Sequence, residues 1–493
     1  MTSLNKLAVS PQQQVSSDIL VTSRCLEDGD FGIQSFYSVR LVTSSAKEMA
    51  AYLQTILGLE KIAYQGLENG NSCLASHVLR KNDVVLEISG TLETRTDFRY
   101  DSGKECALKV EKTEMENKTM HILEYLECQR SVVRESLRYN AVQTYFGKPG
   151  ATKQNGHKIV LEAATASAVA DFISIHGMGV FDIVFLVKDV RRVFSKAVAA
   201  GALVIRQPEI TKDKNGSVLI ATVGTPVSDL RHTLVELVDY KGPYLPGYAS
   251  VEPKQGNVAQ STAGFLCDID HCVQNFSWNE LNVSTQFYIS AFGLQKFWSV
   301  DDKDVSTVNS GLRSIVLTNT NQKVKMPINE PATAKMRGQI EEFYDYYGGP
   351  GVQHIAIRTD DIIGTVLTMK KRGIEFNSVS STYYKQLGER LDVYNIELHE
   401  DLKILKEHHI LLDFDPNTRF KQQNGKFHCH YILQIFTNPI HDRPTLFFEI
   451  IQRHNHNGFG KGTFRGLFES IEEQQKLRGT LVCTEPKYGG NCQ

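Results

Sequence analysis

His271, His354 and Glu449 each sit inside a short apolar run of β-forming residues: Ile269-Asp270-His271, Val352-Gln353-His354-Ile355-Ala356 and Thr445-Leu446-Phe447-Phe448-Glu449-Ile450. An imidazole or carboxylate on such a strand is costly to bury without a partner, and a divalent cation suits all three together. Two histidines and one carboxylate are the ligand set of a non-heme Fe(II) site that keeps positions open for substrate and oxygen. Catalytic zinc also keeps three protein ligands, so ligand count leaves zinc open, whereas the lack of a thiolate removes the soft metals.

A strand histidine taken alone is more often a hydrogen-bonded core residue than a ligand. The positions of these two within a repeat change that judgement. A short strand, a polar joint, an amphipathic helix, a small turn and further strands recur four times, starting near Phe36, Val180, Ile269 and Val352. Each copy continues into β-prone runs: Asp83 to Ile88, Thr233 to Val238, Arg313 to Leu317 and Thr445 to Ile451. The unit reads as βαβββ, and four units predict an α+β chain of two pseudo-twofold pairs, each curling its strands around an open cup. His271 and His354 then hold the same position of equivalent strands, and Glu449 closes the second module. In the N-terminal pair the equivalent positions carry Ser38 and Asp182, and Glu236 stands close to where Glu449 stands. Without imidazoles the N-terminal half reads as structural, and the metal belongs to the C-terminal half.

Residues 1–30 are rich in Gln, Ser and Thr, lack the apolar core of a signal peptide and read as a loose arm. Two domains are expected, over 31–250 and 261–493, with the break near Tyr240 to Gln260, where Tyr244-Leu245-Pro246-Gly247-Tyr248 interrupts the periodicity. Polar stretches at about 101–158 and from Asn417 to His430 read as solvated surface expansions. The 493 residues carry a net charge of −2, with bases and acids dispersed, which argues against a nucleic-acid partner. No run approaches the roughly 18 apolar residues of a spanning helix, so no membrane partner is expected. Nine scattered cysteines without a Cys-x-x-Cys pair indicate neither a disulfide framework nor a zinc ribbon, and a reducing cytoplasmic setting fits. His428 and His430 are expected on a surface loop, His408 and His409 at a helix-to-strand joint, and His454 and His456 beside the Glu449 strand; none is assigned to the metal.

Gly351-Val352-Gln353-His354-Ile355-Ala356, Asp442-Arg443-Pro444-Thr445-Leu446-Phe447-Phe448-Glu449-Ile450-Ile451-Gln452-Arg453 and Gly458-Phe459-Gly460-Lys461-Gly462 carry a resemblance. With Met326-Pro327-Ile328-Asn329-Glu330-Pro331, Ser380-Ser381-Thr382-Tyr383-Tyr384 and Phe297-Trp298-Ser299-Val300-Asp301-Asp302, they resemble the 4-hydroxyphenylpyruvate dioxygenase family, of the vicinal-oxygen-chelate (glyoxalase/extradiol dioxygenase-like) fold. The resemblance is dense from about Cys267 to Leu481 and thinner through the N-terminal half. It implies one Fe(II) per chain, held by His271, His354 and Glu449. It also implies a pocket drawing on Ser314, Pro327, Asn329, Gln339, Gln353 and Gln434, with Phe436, Phe447, Phe459 and Phe464 as aromatic walls. Strict alternation points Gln353 away from the face His354 uses, and only twist or a local bulge brings it round.

The implied reaction is oxidative decarboxylation of 4-hydroxyphenylpyruvate by O2, with ring hydroxylation and side-chain migration to homogentisate, in tyrosine and phenylalanine catabolism; a homodimer is expected. The substrate brings its own 2-oxo acid to chelate iron, so the protein supplies orientation and a dry pocket. A benzylic hydroxylase of the hydroxymandelate synthase type uses the same ligands, and an extradiol ring-cleaving dioxygenase shares the fold. A binding protein that kept the fold without the metal is the reading from another class. Phe464, Leu467, Phe468 and Ile471 recur at helical spacing after a glycine-containing stretch, which predicts a C-terminal helix closing over the cup. Met178 stands where the family usually has an acid, and Thr463 where it has asparagine.

Overall fold

The computed structural model describes residues 32–92, 154–252, 266–300, 309–423, 425–460 and 463–483. The N-terminal arm and most of the 101–158 stretch lie outside these residues. The first half contains β1 (Ile33–Val42), α1 (Ala46–Leu57), β2 (Glu60–Gln65), β3 (Leu74–Lys81), β4 (Val84–Thr91), α2 (Gln154–His176), β5 (Gly179–Val187), α3 (Val190–Ala199), β6 (Leu203–Asp213), β7 (Gly216–Gly224), β8 (Arg231–Leu237) and β9 (Ala249–Ser250). The second contains β10 (Leu266–Asn275), α4 (Leu281–Phe292), β11 (Gln295–Val300), β12 (Leu312–Thr318), β13 (Lys325–Pro331), α5 (Gln339–Tyr347), β14 (Gly351–Thr359), α6 (Ile362–Lys371), α7 (Ser381–Tyr394), α8 (Leu402–Glu407), β15 (Leu411–Lys421), β16 (Phe427–Phe436), β17 (Phe447–His454) and α9 (Phe464–Arg478).

The expected four βαβββ modules are present. They form one sheet in the order β6-β7-β8-β5-β1-β4-β3-β2-β9 and another in the order β11-β12-β13-β10-β14-β17-β16-β15. The first strands of paired modules meet antiparallel at the centre of each sheet, β1 with β5 and β10 with β14, which generates the local twofold. Apolar faces of α1, α3, α4 and α6 share one core that runs through both halves. At the seam, His232 of β8 stacks on Phe185, and its Nε2 lies 2.9 Å from the Tyr288 hydroxyl of α4.

Local caps repeat as the modules do. Asp189 accepts from the Arg192 N–H and Asp361 from the Gly364 N–H, each at 2.9 Å, opening α3 and α6. The first N–H of α3 is received by Glu236 at 3.0 Å, and that of α6 by Gln452 at 2.8 Å. The ladders agree, with Asp182 opposite Arg231 and His354 opposite Phe447. Glu236 is therefore the counterpart of Gln452, and Thr233, not Glu236, occupies the place of Glu449.

The expected loop at 417–430 is instead part of a hairpin. β15 runs to Lys421 and pairs with β16 through Lys421–Phe427, turning at Gly425, whose φ is 84°. His428 is buried, stacked on His399 at 4.6 Å, and Cys429 is buried beside it. The outward side chains are polar, which hid the strands, while rings at the tip hold them: Arg419 lies over both Tyr394 and Phe427.

Candidate metal centre and its cup

One row across the second sheet joins β10, β14 and β17: His271 stands opposite Ala356, and Ala356 opposite Glu449. The alanine methyl between them leaves room for both long side chains to converge over β14. His271 Nε2 lies 3.1 Å and His354 Nε2 3.2 Å from the same Glu449 oxygen, Oε2. The candidate ligand atoms all fall within 4.8 Å of one another, and all three residues are buried. Among the described residues no other His/Cys/Asp/Glu group forms such a cluster.

Two β-bulges aim the imidazoles. On β10 the pairing passes from Ile269 to His271 while β14 moves one residue, leaving Asp270 unpaired; on β14 it passes from His354 to Val352, leaving Gln353 unpaired. A bulge re-aims the extra residue, which here swings back along the ring that follows it. Asp270 Oδ1 lies 2.7 Å from His271 Nδ1, and Gln353 Oε1 2.9 Å from His354 Nδ1. An acceptor at each Nδ1 favours the tautomer with its proton there, which frees Nε2 for a metal when one binds, the orientation a ligand needs. Gln353 is in turn held by its amide N–H donating to Gln339 Oε1 at 3.1 Å.

The electrostatics follow from burial without water. Burial alone would raise the Glu449 carboxyl, but His271 and His354 hold it down to about 2. Burial would lower His271, yet Glu449 and Asp270 raise it; at His354 burial prevails over Glu449 and lowers it. Asp270 stays well below the usual carboxylate range despite burial, because Arg453 grips both its oxygens at 2.8 Å.

The other predicted pocket residues divide by position. Ser314, Asn329 and Pro327 are buried on β12 and β13, Ser314 directly opposite Asn329, whose amide donates to Asn275 Oδ1 at 3.1 Å. Gln434 of β16 donates to Glu449 Oε1 at 2.8 Å. Phe447 stacks on His354 at 4.8 Å, Phe436 stands edge-on to His354 at 6.0 Å, and Phe459 edge-on to His271 at 5.1 Å. Gln339, Gln353 and Phe447 also line a cleft whose other wall is α9, through Ile471, Gln474 and Arg478. Phe464 is the first residue of α9; its side chain lies outside the described set. His454 pairs with Glu400 at 2.9 Å, His456 accepts from the Gly458 N–H, and His408 and His409 fall between α8 and β15.

Four residues absent from the sequence-based set also belong here. Asp270 and Arg453 support His271 as described. Asn275 lies four residues beyond His271 on the same strand face, and its Nδ2 is buried without a partner; period-two counting from His271 would have found it. The hydroxyl of Thr463, set down as a departure, lies 2.8 Å from both Gln434 Oε1 and the Gly460 carbonyl and can donate to either. Met178, the other departure, is buried in the core shared by the halves.

Comparison with known proteins gives the same fold. Residues 268–391 match the Glyoxalase/Bleomycin resistance protein/Dioxygenase superfamily. The chain is 35% identical over 474 residues to a 4-hydroxyphenylpyruvate dioxygenase of Yarrowia lipolytica, covering 96% of this chain and 100% of that protein. It is 37% identical over 446 residues to one of Aspergillus fumigatus, covering 90% and 93%, and 36% identical over 449 residues to one of Danio rerio, covering 91% and 92%. A solved structure of a triply substituted 4-hydroxymandelate synthase from Streptomyces coelicolor aligns with a TM-score of 0.64 at 23% identity, covering 90% of this chain and 99% of that one. The architecture is the vicinal-oxygen-chelate fold.

Proposed function

The chain belongs to the 4-hydroxyphenylpyruvate dioxygenase family, and from that premise we propose that it converts 4-hydroxyphenylpyruvate and O2 to homogentisate and CO2 with one Fe(II) at His271, His354 and Glu449. The observation that carries the reading is the convergence of two imidazole Nε2 atoms on one carboxylate oxygen, with both Nδ1 atoms already occupied by acceptors. That donor set, two neutral nitrogens and one anionic oxygen, fits a borderline divalent cation with positions left open. Held by His271, His354 and Glu449, iron would supply O2 activation and bind the substrate's 2-oxo acid.

The protein's own contribution is orientation and dryness. Phe436, Phe447 and Phe459 ring the centre and exclude water, so the charged 2-oxo acid meets fixed dipoles instead of solvent. The amides of Asn275, Asn329, Gln339 and Gln353 are neutral donors and acceptors within the cup, suited to hold a phenol and a keto acid without moving protons. Closure belongs to α9, whose Leu467 and Phe468 are buried and whose Arg478 binds Glu342 of α5 at 2.8 Å. Gly460, with a φ of 78°, is its hinge. Deleting 464–478 should lower turnover severely; equal turnover would remove the gate.

The deciding experiment is anaerobic reconstitution with Fe(II) and 4-hydroxyphenylpyruvate, then oxygen, with the product identified. Homogentisate is expected; hydroxymandelate would transfer the chain to the benzylic reading, and no oxygen uptake with iron bound would sink both. Zn(II) in place of Fe(II) should support binding without oxygen uptake. The proposed organisation is a metal-free domain over 31–250 and a catalytic one over 261–493, in a cytoplasmic homodimer. Among the described residues no helix is long and apolar enough to cross a membrane. Sedimentation of the purified protein tests the dimer.

A further inference from the structure

The two sides of the candidate metal centre are both tied to the approach to α9, one through residues 456–460 and the other through Thr463. On the His271 side, Arg453 grips Asp270 with Nε and NH2 and spends its remaining nitrogen, NH1, on the carbonyls of His456 at 2.9 Å and Gly458 at 2.7 Å. The same guanidinium lies 5.3 Å from the centre of the Phe459 ring, and that ring stands edge-on to His271. On the Glu449 side, Thr463 donates to Gln434, which donates to the free Glu449 oxygen. His354 has no such tie: its acceptor Gln353 leads to α5 instead.

We propose that Arg453, with Thr463, is a positioning residue that makes capture of the metal at His271 and Glu449 and the seating of Phe459 over the cup a single coupled event. This rests on the metal reading given above. Arginine suits the task because its planar fork can bind a carboxylate on one edge and backbone carbonyls on the other, which a lysine cannot do at once. Lys325, 3.5 Å from Asp270 Oδ2, adds charge to the same carboxylate without being seen to touch the segment, and so separates the two roles.

Coupling between two events is reciprocal, so it can be read from either side. In the intact wild-type protein, anaerobic Fe(II) should slow amide hydrogen exchange at 456–460 by about tenfold or more, with no substrate present. Arg453→Lys should weaken Fe(II) binding, measured by chelator competition, by about 10- to 100-fold, the usual loss when an orienting partner is removed. It should also raise exchange at 456–460 in the metal-free protein and erase the protection that iron confers. Lys325→Met should weaken the metal while leaving the segment's exchange at wild-type level. Thr463→Val, which alters one hydroxyl only, should reproduce the Arg453→Lys pattern more weakly and serves if Arg453→Lys does not fold. Wild-type protein that binds Fe(II) without protecting 456–460 overturns the coupling. So does Arg453→Lys or Thr463→Val if metal affinity and exchange move independently in it. Wild-type protein that binds no Fe(II) removes the metal reading itself, a separate outcome.

Discussion

The two halves build the same cup and fill its centre differently. Where the C-terminal half brings two imidazoles and a carboxylate together, the N-terminal half places Arg40, whose Nε is 2.8 Å from Glu87 and whose NH1 is 3.9 Å from Asp182. Glu87 also accepts from Tyr244 at 2.9 Å and Tyr248 at 2.6 Å, and Asp182 from the Thr233 hydroxyl at 2.5 Å. Tyr244 and Tyr248 come from the connector after β8, which folds back to plug the cup. The first half thus carries a covalently attached cation and a polar seal where the second brings its candidate metal ligands together. Both halves keep the same pair of bulges: Tyr37 and Phe181 are unpaired ahead of Ser38 and Asp182, as Asp270 and Gln353 are ahead of the histidines. The bulges are a property of the fold, and the ligands were set upon them.

If that contrast is right, damage to the two centres should have different readouts. His354→Ala should reduce Fe(II)-dependent oxygen uptake to background while leaving the thermal transition of the metal-free protein nearly unmoved; retained turnover would remove the triad. Arg40→Met should do the reverse. It strands Glu87 and Asp182 as buried charges, and should cost about 3–5 kcal/mol in denaturant unfolding, with Fe(II) affinity unchanged.

The seam gives a third contrast. Burial presses His232 down to about 4, so it is neutral in the fold, while in the unfolded chain it titrates near the ordinary value of about 6.5. The unfolded state therefore takes up the extra proton as pH falls. Its contribution is intact above about 6.5 and is lost progressively toward 4, by about 3 kcal/mol. Denaturant curves across that range should show a loss about 3 kcal/mol smaller in His232→Gln than in the wild type, the remainder coming from the other depressed histidines such as His77. The smallest effect is expected at the bulges. Gln353→Ala should weaken Fe(II) by about tenfold to a hundredfold without unfolding the protein, whereas Phe181→Ala, its counterpart, should change stability and leave metal binding alone.

Much of this was legible in the sequence because charges inside apolar strands have few explanations and the repeat supplied an internal control. His271, His354 and Glu449 stood out for that reason, as did the four modules. Gln353 looked misdirected because alternation assumes a regular ladder, and a bulge leaves no mark on residue types. Glu236 was matched to Glu449 through similar flanking letters, although ladder register sets them three residues apart. The hairpin at 417–430 was hidden because its residues near the tip are polar apart from Phe420 and Phe427, so no period of two was visible. Asp270 and Arg453 are 183 positions apart, and only the folded sheet brings them together.

The bulge at Gln353 also sets how this gene can change. Because Val352 pairs with Gln274 and His354 with Val273, neighbours on β10 that face opposite sides, removing Gln353 would leave an unbroken ladder with the faces on both sides unchanged. A one-codon deletion there should therefore spare the sheet and cost the centre the acceptor at His354 Nδ1, so that a change of length at this bulge is tolerated by the fold about as well as a replacement of Gln353.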